Sequence, residues 1–118
     1  MVKDVNETSK FYSKLFGNPS HQDADSVSWK FENTKIFFGH PFKEIAPNTF
    51  DRNRIGLNHC AWGVRTVDEL KKWKNRLDEI GIKNSGIIKD RYQDRDYVWF
   101  DDPDSIRQEF YLRSEHEE

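Results

Sequence analysis

The pattern of apolar residues near the start of the chain predicts a helix. Apolar side chains recur at helical spacing at Phe11, Tyr12, Leu15 and Phe16. Asp4 or Asn6 can cap the start of this segment, and Gly17 can take the left-handed conformation that often follows a helix. We therefore predict a first helix from about Asn6 to Phe16.

Two strand-like segments follow a polar stretch that contains Pro19 and ends near Asp25. They run from Val27 to Phe31 and from Lys35 to Phe38, and the residues between them have the length and composition of a hairpin connection. Residues 39–54 carry several prolines and asparagines, which favour a connection between two halves of the chain.

The second half opens with an apolar segment, Leu57 to Val64, that predicts a strand. Thr66 and Glu69 then form the capping box of a second helix, which ends near Gly81. The apolar stripe of this helix has members three or four positions apart: Val67, Leu70, Trp73, Leu77 and Ile80.

Three further strand-like segments complete the second half: Ile87–Ile88, Tyr97–Phe100 and Gln108–Leu112. The last two are joined by the turn Asp101–Ser105. The predicted order is therefore strand, helix, strand, strand, strand.

The two halves are related by a faint internal repeat. A shift of 62 positions places Val2–Glu7 on Val64–Glu69 and Leu15 on Leu77. A predicted strand precedes the second copy, whereas only Met1 precedes the first. The repeat thus predicts a first copy that lacks most of its opening strand.

Composition narrows the class of protein. The chain of 118 residues has the size of one ordinary domain, and its 9 Phe, 4 Trp and 4 Tyr offset a hydrophobic content of 35%. A net charge of −2 with interspersed signs gives no electrostatic basis for nucleic-acid binding. No apolar run approaches the roughly 20 residues that span a bilayer. The chain is therefore expected to have no membrane partner. Because the single cysteine, Cys60, fits a reducing compartment, we expect a cytoplasmic protein.

Three segments carry a recognisable pattern together: Gly56–His59 before a strand, the capped helix that ends at Ile80-Gly81, and Asp102–Phe110. With the opening Val2–Gly17, they resemble the vicinal oxygen chelate superfamily, which includes glyoxalases, bleomycin-resistance proteins and extradiol dioxygenases. The resemblance implies an α+β fold of two βαβββ modules that form a curled mixed sheet around a cleft. It implies a single domain over 1–118, with module one at about 1–42, a linker at about 43–55 and module two at about 56–113.

The resemblance also implies a site. Metal ligands in this superfamily come from the first and last strands of each module, which implies His59 and Glu109 from module two. The equivalent of Glu109 in module one is Phe37, and the ligand of the first strand would lie before Met1. A four-ligand site is therefore not expected, and a three-ligand site needs a residue from outside this chain. The implied cofactor is a divalent metal: Zn, Mn, Ni or Fe.

Strand alternation supports these two positions independently. It places His59, Ala61 and Gly63 on one face, where small residues suit the wall of a cleft. Glu109 shares a face with Tyr111, so its carboxylate can bind a metal or act as a catalytic base. The alternatives are a histidine that hydrogen-bonds within its strand and a glutamate in a surface ion pair.

The remaining candidates are weaker. Phe37, Trp99 and Tyr111 can stack on a flat substrate, although strand aromatics more commonly pack in a core. Cys60 is expected to pack as a small apolar residue. Three histidines lie in polar or connecting stretches that give no sign of ligation: His21, His40 and His116.

Three functions stay open at this point. The first is a metal-dependent lyase, isomerase or dioxygenase that acts on a small molecule with vicinal oxygens. The second is a metal-free protein that sequesters its ligand, as bleomycin-resistance proteins do. The third is a degenerate domain that acts through assembly, because an exposed sheet edge invites pairing and predicts a homodimer. We favour a small-molecule-binding, glyoxalase-like domain.

Overall fold

The fold was analysed in a computed structural model that describes residues 1–92 and 95–113. The chain forms two compact units, Met1–Phe50 and a second that begins at Asp51. Within the described residues, each unit contains one helix and one sheet. The predicted α+β class is therefore confirmed. His116 lies outside the described residues.

The first unit contains a helix followed by a three-stranded antiparallel sheet. Helix α1 spans Val5–Phe16, and strands β1, β2 and β3 span His21–Gln22, Ser26–Lys30 and Lys35–Gly39 in the order β1-β2-β3. The polar stretch before Asp25 was predicted without a strand, and this was wrong. Two of its residues form β1, because even polar residues can complete the ladder on β2 when their side chains face solvent.

The core of the first unit is aromatic. The side chains of Tyr12 and Trp29 are fully or almost fully buried, and the ring of Tyr12 stacks on Phe38 with centroids 4.6 Å apart. The indole N–H of Trp29 donates to the carbonyl of Gly17 at 2.9 Å, which satisfies the one polar atom of this large side chain. Helix α1 is thereby fixed to the hairpin at its carboxyl end.

The second unit has a complete βαβββ order. Strand β4 spans His59–Val64, helix α2 spans Val67–Glu79, and strands β5, β6 and β7 span Ile88–Lys89, Asp96–Asp101 and Arg107–Leu112. The sheet order is β4-β7-β6-β5, with β4 parallel to β7 and the other pairs antiparallel. In this mixed sheet β7 is flanked on both sides, whereas β4 is an edge strand.

Helix α2 packs on this sheet through the predicted stripe. Leu70 and Leu77 are fully buried, and Trp73 stacks on Phe110 of β7 with ring centroids 4.3 Å apart. Val67, the first member of the stripe, is instead exposed because it lies in the first turn of the helix. The turn between β6 and β7 also forms, with Ser105 in the left-handed region at φ +63°.

The helix caps give the internal repeat a structural basis. Asp4 caps α1 by accepting from the backbone N–H groups of Asn6 and Glu7, and Thr66 caps α2 by accepting from the N–H of Glu69. Asp4 and Thr66 are separated by the repeat distance of 62 positions. The repeat thus preserves the place where each helix begins.

Strand β3 has an open edge. The hydrogen bond from the N–H of His40 to the carbonyl of Asp25, at 2.9 Å, continues the β2–β3 ladder. Alternation along β3 therefore turns the backbone polar groups of Phe37 and Gly39 away from β2. The carbonyl of Gly39 accepts from Val2, the repeat counterpart of Val64 in β4, at 2.9 Å. The first unit thus keeps one end of the pairing that β4 and β7 make in full.

Neither α1 nor α2 has the length and apolar character that crossing a membrane requires.

Candidate functional site

A cleft of about 360 Å³ lies on one face of the sheet in the second unit. Its lining combines four ionisable or imidazole side chains, two tyrosines and one small residue: His59, Asp90, Arg95, Glu109, Tyr97, Tyr111 and Ala61. The cleft is therefore polar and aromatic, and large enough for a small organic molecule.

Strand alternation selects the residues that face this cleft. In β4, His59 and Ala61 are exposed, whereas Cys60 and Trp62, which alternate with them, are half-buried, as predicted. In β7, Gln108 and Phe110 are buried and Glu109 lies between them on the opposite face. Hydrogen-bond pairing then places neighbouring cleft residues side by side, since Ala61 is directly opposite Glu109 in the β4–β7 ladder.

His59 and Glu109 meet inside the cleft. The imidazole Nε2 of His59 lies 3.3 Å from a carboxyl oxygen of Glu109, and the Glu109 side chain is only 16% exposed. The other ring nitrogen, Nδ1, lies 2.8 Å from the amide oxygen of Asn58. The Asn58 amide nitrogen in turn donates to the carbonyl of Arg52, so its oxygen is the atom that faces the ring.

This arrangement indicates which ring nitrogen of His59 donates to Asn58. An amide oxygen only accepts, so Nδ1 of His59 carries a proton that it donates to Asn58. A hydrogen bond between Nε2 and the Glu109 carboxyl then requires one further proton, held by either group. The pair can therefore hold and release a proton at the wall of the cleft.

The surroundings of Glu109 favour the protonated form of its carboxyl group. Burial raises the pKa of Glu109 above its usual value of 4.5, and the negative charge of Asp90 adds to this effect. The charges of His59 and Arg107 act in the opposite direction and are outweighed. A carboxyl group of this kind is suited to proton transfer nearer neutral pH.

The predicted aromatic residues have three different placements. Tyr111 lines the cleft. Trp99 lies opposite Glu109 in the β6–β7 ladder, but the guanidinium of Arg107 covers its ring, 3.6 Å from the centroid. Phe37 belongs to the first unit, where it is 58% exposed on β3.

Three cleft residues were missed in the sequence. Tyr97 pairs with Tyr111 across the β6–β7 ladder, so alternation along β6 could have found it. Asp90 and Arg95 lie at the two ends of the connection between β5 and β6, where no periodic pattern reports the direction of a side chain. Of the other candidates, His40 contacts the carbonyl of the adjacent Pro41, and His21 contacts Asp23 at the surface.

Cys60 lies on the opposite side of β4, half-buried beside Gln108. Burial raises the pKa of the Cys60 thiol, which keeps it protonated and unreactive at neutral pH. This placement agrees with its predicted packing role.

The described residues do not by themselves complete a metal centre. Within residues 1–92 and 95–113, no group of three histidine, cysteine, aspartate or glutamate side chains gathers closely enough to hold a metal ion. His59 and Glu109 supply two donors of suitable chemistry, whereas metals of the implied kind usually take three or four protein ligands.

A family model decides the relationship of this chain to known proteins. The model of the glyoxalase/bleomycin resistance protein/dioxygenase superfamily matches residues 1–110. The chain belongs to this superfamily. The resemblance seen in the sequence is therefore confirmed, and the match extends through the candidate residues His59 and Glu109.

Solved structures show the same fold. A glyoxylase/bleomycin resistance protein/dioxygenase domain from Frankia sp. EAN1pec is 20% identical, with a TM-score of 0.73, and the match covers 98% of this chain and 87% of that one. Lactoylglutathione lyase from Agrobacterium tumefaciens is 19% identical, with a TM-score of 0.70 and coverage of 92% and 85%.

The fosfomycin resistance protein FosX from Listeria monocytogenes is 16% identical, with a TM-score of 0.67 and coverage of 97% and 88%. At these identities the comparisons establish the fold alone. No curated protein matches the chain.

Proposed function

We propose that this chain is a small-molecule-binding domain of the glyoxalase superfamily and that its ligand occupies the cleft of the second unit. The observation that carries the proposal is the convergence of His59, Glu109, Tyr97 and Tyr111 on one cleft of about 360 Å³. The tyrosine rings offer surfaces for stacking on a flat ligand. The His59–Glu109 pair offers a polar anchor that can exchange a proton with the ligand.

A cleft-filling variant tests this proposal without disturbing the core. Ala61 is exposed on the cleft wall, so Ala61→Trp adds a ring in the space that the ligand would occupy. Lys71→Trp adds the same ring to an exposed position on α2, outside the cleft, and serves as the matched control. Small-molecule fragments are titrated into each protein with a chelator present, and backbone amide shifts are followed by NMR.

The expected result is that fragments shift the amides of Ala61, Tyr97 and Tyr111 in the parent and in Lys71→Trp. Ala61→Trp should lose that response, since its indole fills the cleft. Fragments that bind equally well to all three proteins, or that shift only amides of the first unit, would contradict a site at this cleft.

A second candidate is a metal-dependent lyase, isomerase or dioxygenase, in which His59 and Glu109 hold a divalent metal. The observation that favours it is the approach of the two side chains to 3.3 Å from neighbouring strands. Members of this superfamily commonly use divalent metals. Because the described residues offer two donors together, this function requires a third ligand from elsewhere, such as a second subunit.

Calorimetric titration with Zn, Mn, Ni and ferrous iron separates the two candidates. Metal-dependent function predicts micromolar or tighter binding in the parent that is lost in His59→Ala and kept in His21→Ala, which removes a surface histidine outside the cleft. A parent protein that captures fragments and binds none of these metals supports the metal-free function.

The open edge of β3 supports a homodimer as part of this proposal. The backbone groups of Phe37 that point away from β2 can pair with a strand of a second copy, and the exposed ring of Phe37 would be covered in the process. Light scattering at increasing protein concentration is expected to show a dimer that Phe37→Pro disrupts. A monomer at all concentrations would exclude this assembly.

A further inference from the structure

The side chain of Arg113 lies across the cleft-facing side of β4. A methyl group placed on Gly63 would overlap the Cγ and Cδ atoms of Arg113, and it would lie 3.4 Å from Nε. The aliphatic stem of Arg113, rather than its guanidinium group, is therefore the part that covers Gly63. Because Gly63 carries no side chain, the stem can approach the strand this closely.

The backbone supports this arrangement. The N–H of Arg113 donates to the carbonyl of Val64 at 2.9 Å, which extends the pairing of β4 and β7 by one hydrogen bond. Alternation along β7 places Arg113 on the same face as Glu109 and Tyr111. Its half-buried side chain therefore starts on the cleft side of β7 and crosses to the neighbouring strand β4.

Arg113 lies where the cleft ends. The lining of the cleft reaches Ala61 on β4 and Tyr111 on β7, and Gly63 is directly opposite Tyr111 in the ladder. The next positions on this face, toward the carboxyl ends of the two parallel strands, are Gly63 and Arg113. If the Arg113 stem were removed, the bare surface over Gly63 would continue the cleft along β4.

We propose that Arg113 closes the cleft at this end and thereby limits the length of the ligand that the cleft accepts. This inference rests on the proposed function, because it assigns a specificity-determining residue to the same cleft. Two residues of a strand span about 6.6 Å, which is close to the length of a phenol. A phenol whose hydroxyl group meets the His59–Glu109 pair would lie along Tyr111, and a substituent at its para position would point at the Arg113 stem.

Three para-substituted phenols test this limit at pH 7 with a chelator present: 4-methylphenol, 4-propylphenol and 4-pentylphenol. All three are neutral at this pH, so they differ in length and not in charge. Titrations followed by the amide shifts of Ala61, Gly63 and Tyr111 give the location and the dissociation constant of each probe. In the parent, we expect 4-pentylphenol to bind no more tightly than 4-methylphenol, because its chain meets the stem of Arg113.

Two substitutions of Arg113 assign the limit to the stem. Arg113→Ala removes the stem and should admit the longer chain. Each buried methylene group strengthens binding about fourfold, so 4-pentylphenol should bind this variant about tenfold or more tightly than 4-methylphenol does. Arg113→Met keeps an unbranched stem without the charge and should behave like the parent. Arg76→Ala removes an exposed arginine of α2, outside the cleft, and should also behave like the parent.

A double variant checks that the longer chain occupies the space over Gly63. In the Arg113→Ala background, Gly63→Ala adds a methyl group where the stem of Arg113 was. The double variant should lose most of the gain in affinity for 4-pentylphenol and should keep its affinity for 4-methylphenol. Unchanged binding of the short probe distinguishes a shortened cleft from a general loosening of β4, which would weaken both probes.

The outcomes separate this inference from the function beneath it. If the ratio of 4-pentylphenol to 4-methylphenol affinity is the same in the parent and in Arg113→Ala, the length limit is overturned and a small-molecule site stays in place. An equal gain in Arg113→Met and Arg113→Ala would overturn the role assigned to the stem. If none of the phenols or fragments shifts the cleft amides, both the inference and the proposed function fail.

Discussion

Both units contain a helix followed by a hairpin, but the last strands of these hairpins differ in their neighbours. In the second unit, β7 lies between β4 and β6, and Glu109 on its exposed face is shielded by residues from both neighbours. In the first unit, the equivalent strand β3 pairs with β2 on one side, and on the other side Gly39 accepts a hydrogen bond from Val2. Phe37, which the superfamily pattern equates with Glu109, is mostly exposed there.

This difference shows what a polar site in a sheet requires. A carboxylate acquires a raised pKa when neighbouring strands remove it from water, and Glu109 has such neighbours on both sides. A carboxylate at Phe37 would face water from the open edge and behave as an ordinary surface acid. Capped helix starts and a buried core therefore occur in both units, whereas the carboxyl group with a raised pKa lies in the second.

The largest predicted loss of stability comes from a substitution in the aromatic core of the first unit. Trp29→Ala removes a side chain that is 2% exposed and contacts the Tyr12, Phe16 and Phe38 rings. We expect it to lower the free energy of unfolding by about 4 kcal/mol, as large-to-small core substitutions commonly do. Urea denaturation measures the change.

Phe37→Ala on the same hairpin is the control for Trp29→Ala. Since Phe37 is 58% exposed, its loss should cost less than about 1 kcal/mol. Similar losses for the two substitutions would show that Phe37 is covered in solution, which would point to the proposed dimer rather than to an open edge.

Intermediate losses of stability are expected from substitutions at the two helix caps, which test whether equivalent positions in the two units contribute equally. Asp4→Ala and Thr66→Ala each remove a side-chain acceptor from the first turn of a helix and should each cost about 1 kcal/mol. Asp4→Asn and Thr66→Ser retain the acceptor and should cost much less. Each variant is compared with the parent by thermal or urea unfolding. If only one of the two caps lowers the free energy of unfolding when it is removed, the two repeat positions do not contribute equally to stability.

The smallest predicted effect concerns the pH dependence that Glu109 confers on the second unit. The raised pKa means that the unfolded state releases this proton at a lower pH than the folded state does. The contribution of Glu109 to the free energy of unfolding is therefore fully present below its ordinary pKa of 4.5. It is lost as the pH rises through the raised pKa of the folded state. Glu109→Gln should flatten this part of the stability curve, measured by urea unfolding from pH 4 to pH 8.

Glu79→Gln provides the comparison for that measurement. Its carboxylate lies 3.6 Å from Arg76 on the exposed surface of α2, so this substitution removes one negative charge outside the cleft and measures the effect of net charge. If both substitutions changed the slope equally, the effect would reflect net charge rather than the environment of Glu109.

Much of the fold could be predicted because short-range patterns specify it. The stripe through Leu70 and Leu77, the cap at Thr66 and the alternation around His59 all report local geometry, and each was found in the structure. Strand β1 was missed because its two residues are polar and exposed, so pairing with β2 determines it rather than any periodicity.

The candidate site was less accessible to sequence reasoning. His59 and Glu109 could be placed on one face by alternation, and the register of β4 against β7 brings them together. Asp90 and Arg95 enter the cleft from a connection whose path depends on the tertiary fold. The cover that Arg107 places over Trp99 is likewise a contact between strands that no local pattern encodes.

The edge position of β4 gives the cleft a further property. His59 and Ala61 reach the cleft from a strand that, within residues 1–92 and 95–113, pairs with β7 alone, so detachment of β4 would remove one wall of the site. A bound ligand that contacts both strands would oppose this opening by an amount set by its affinity. Hydrogen–deuterium exchange along β4 should then slow as the cleft fills, and the protection of this one strand would report occupancy even for a ligand that undergoes no reaction.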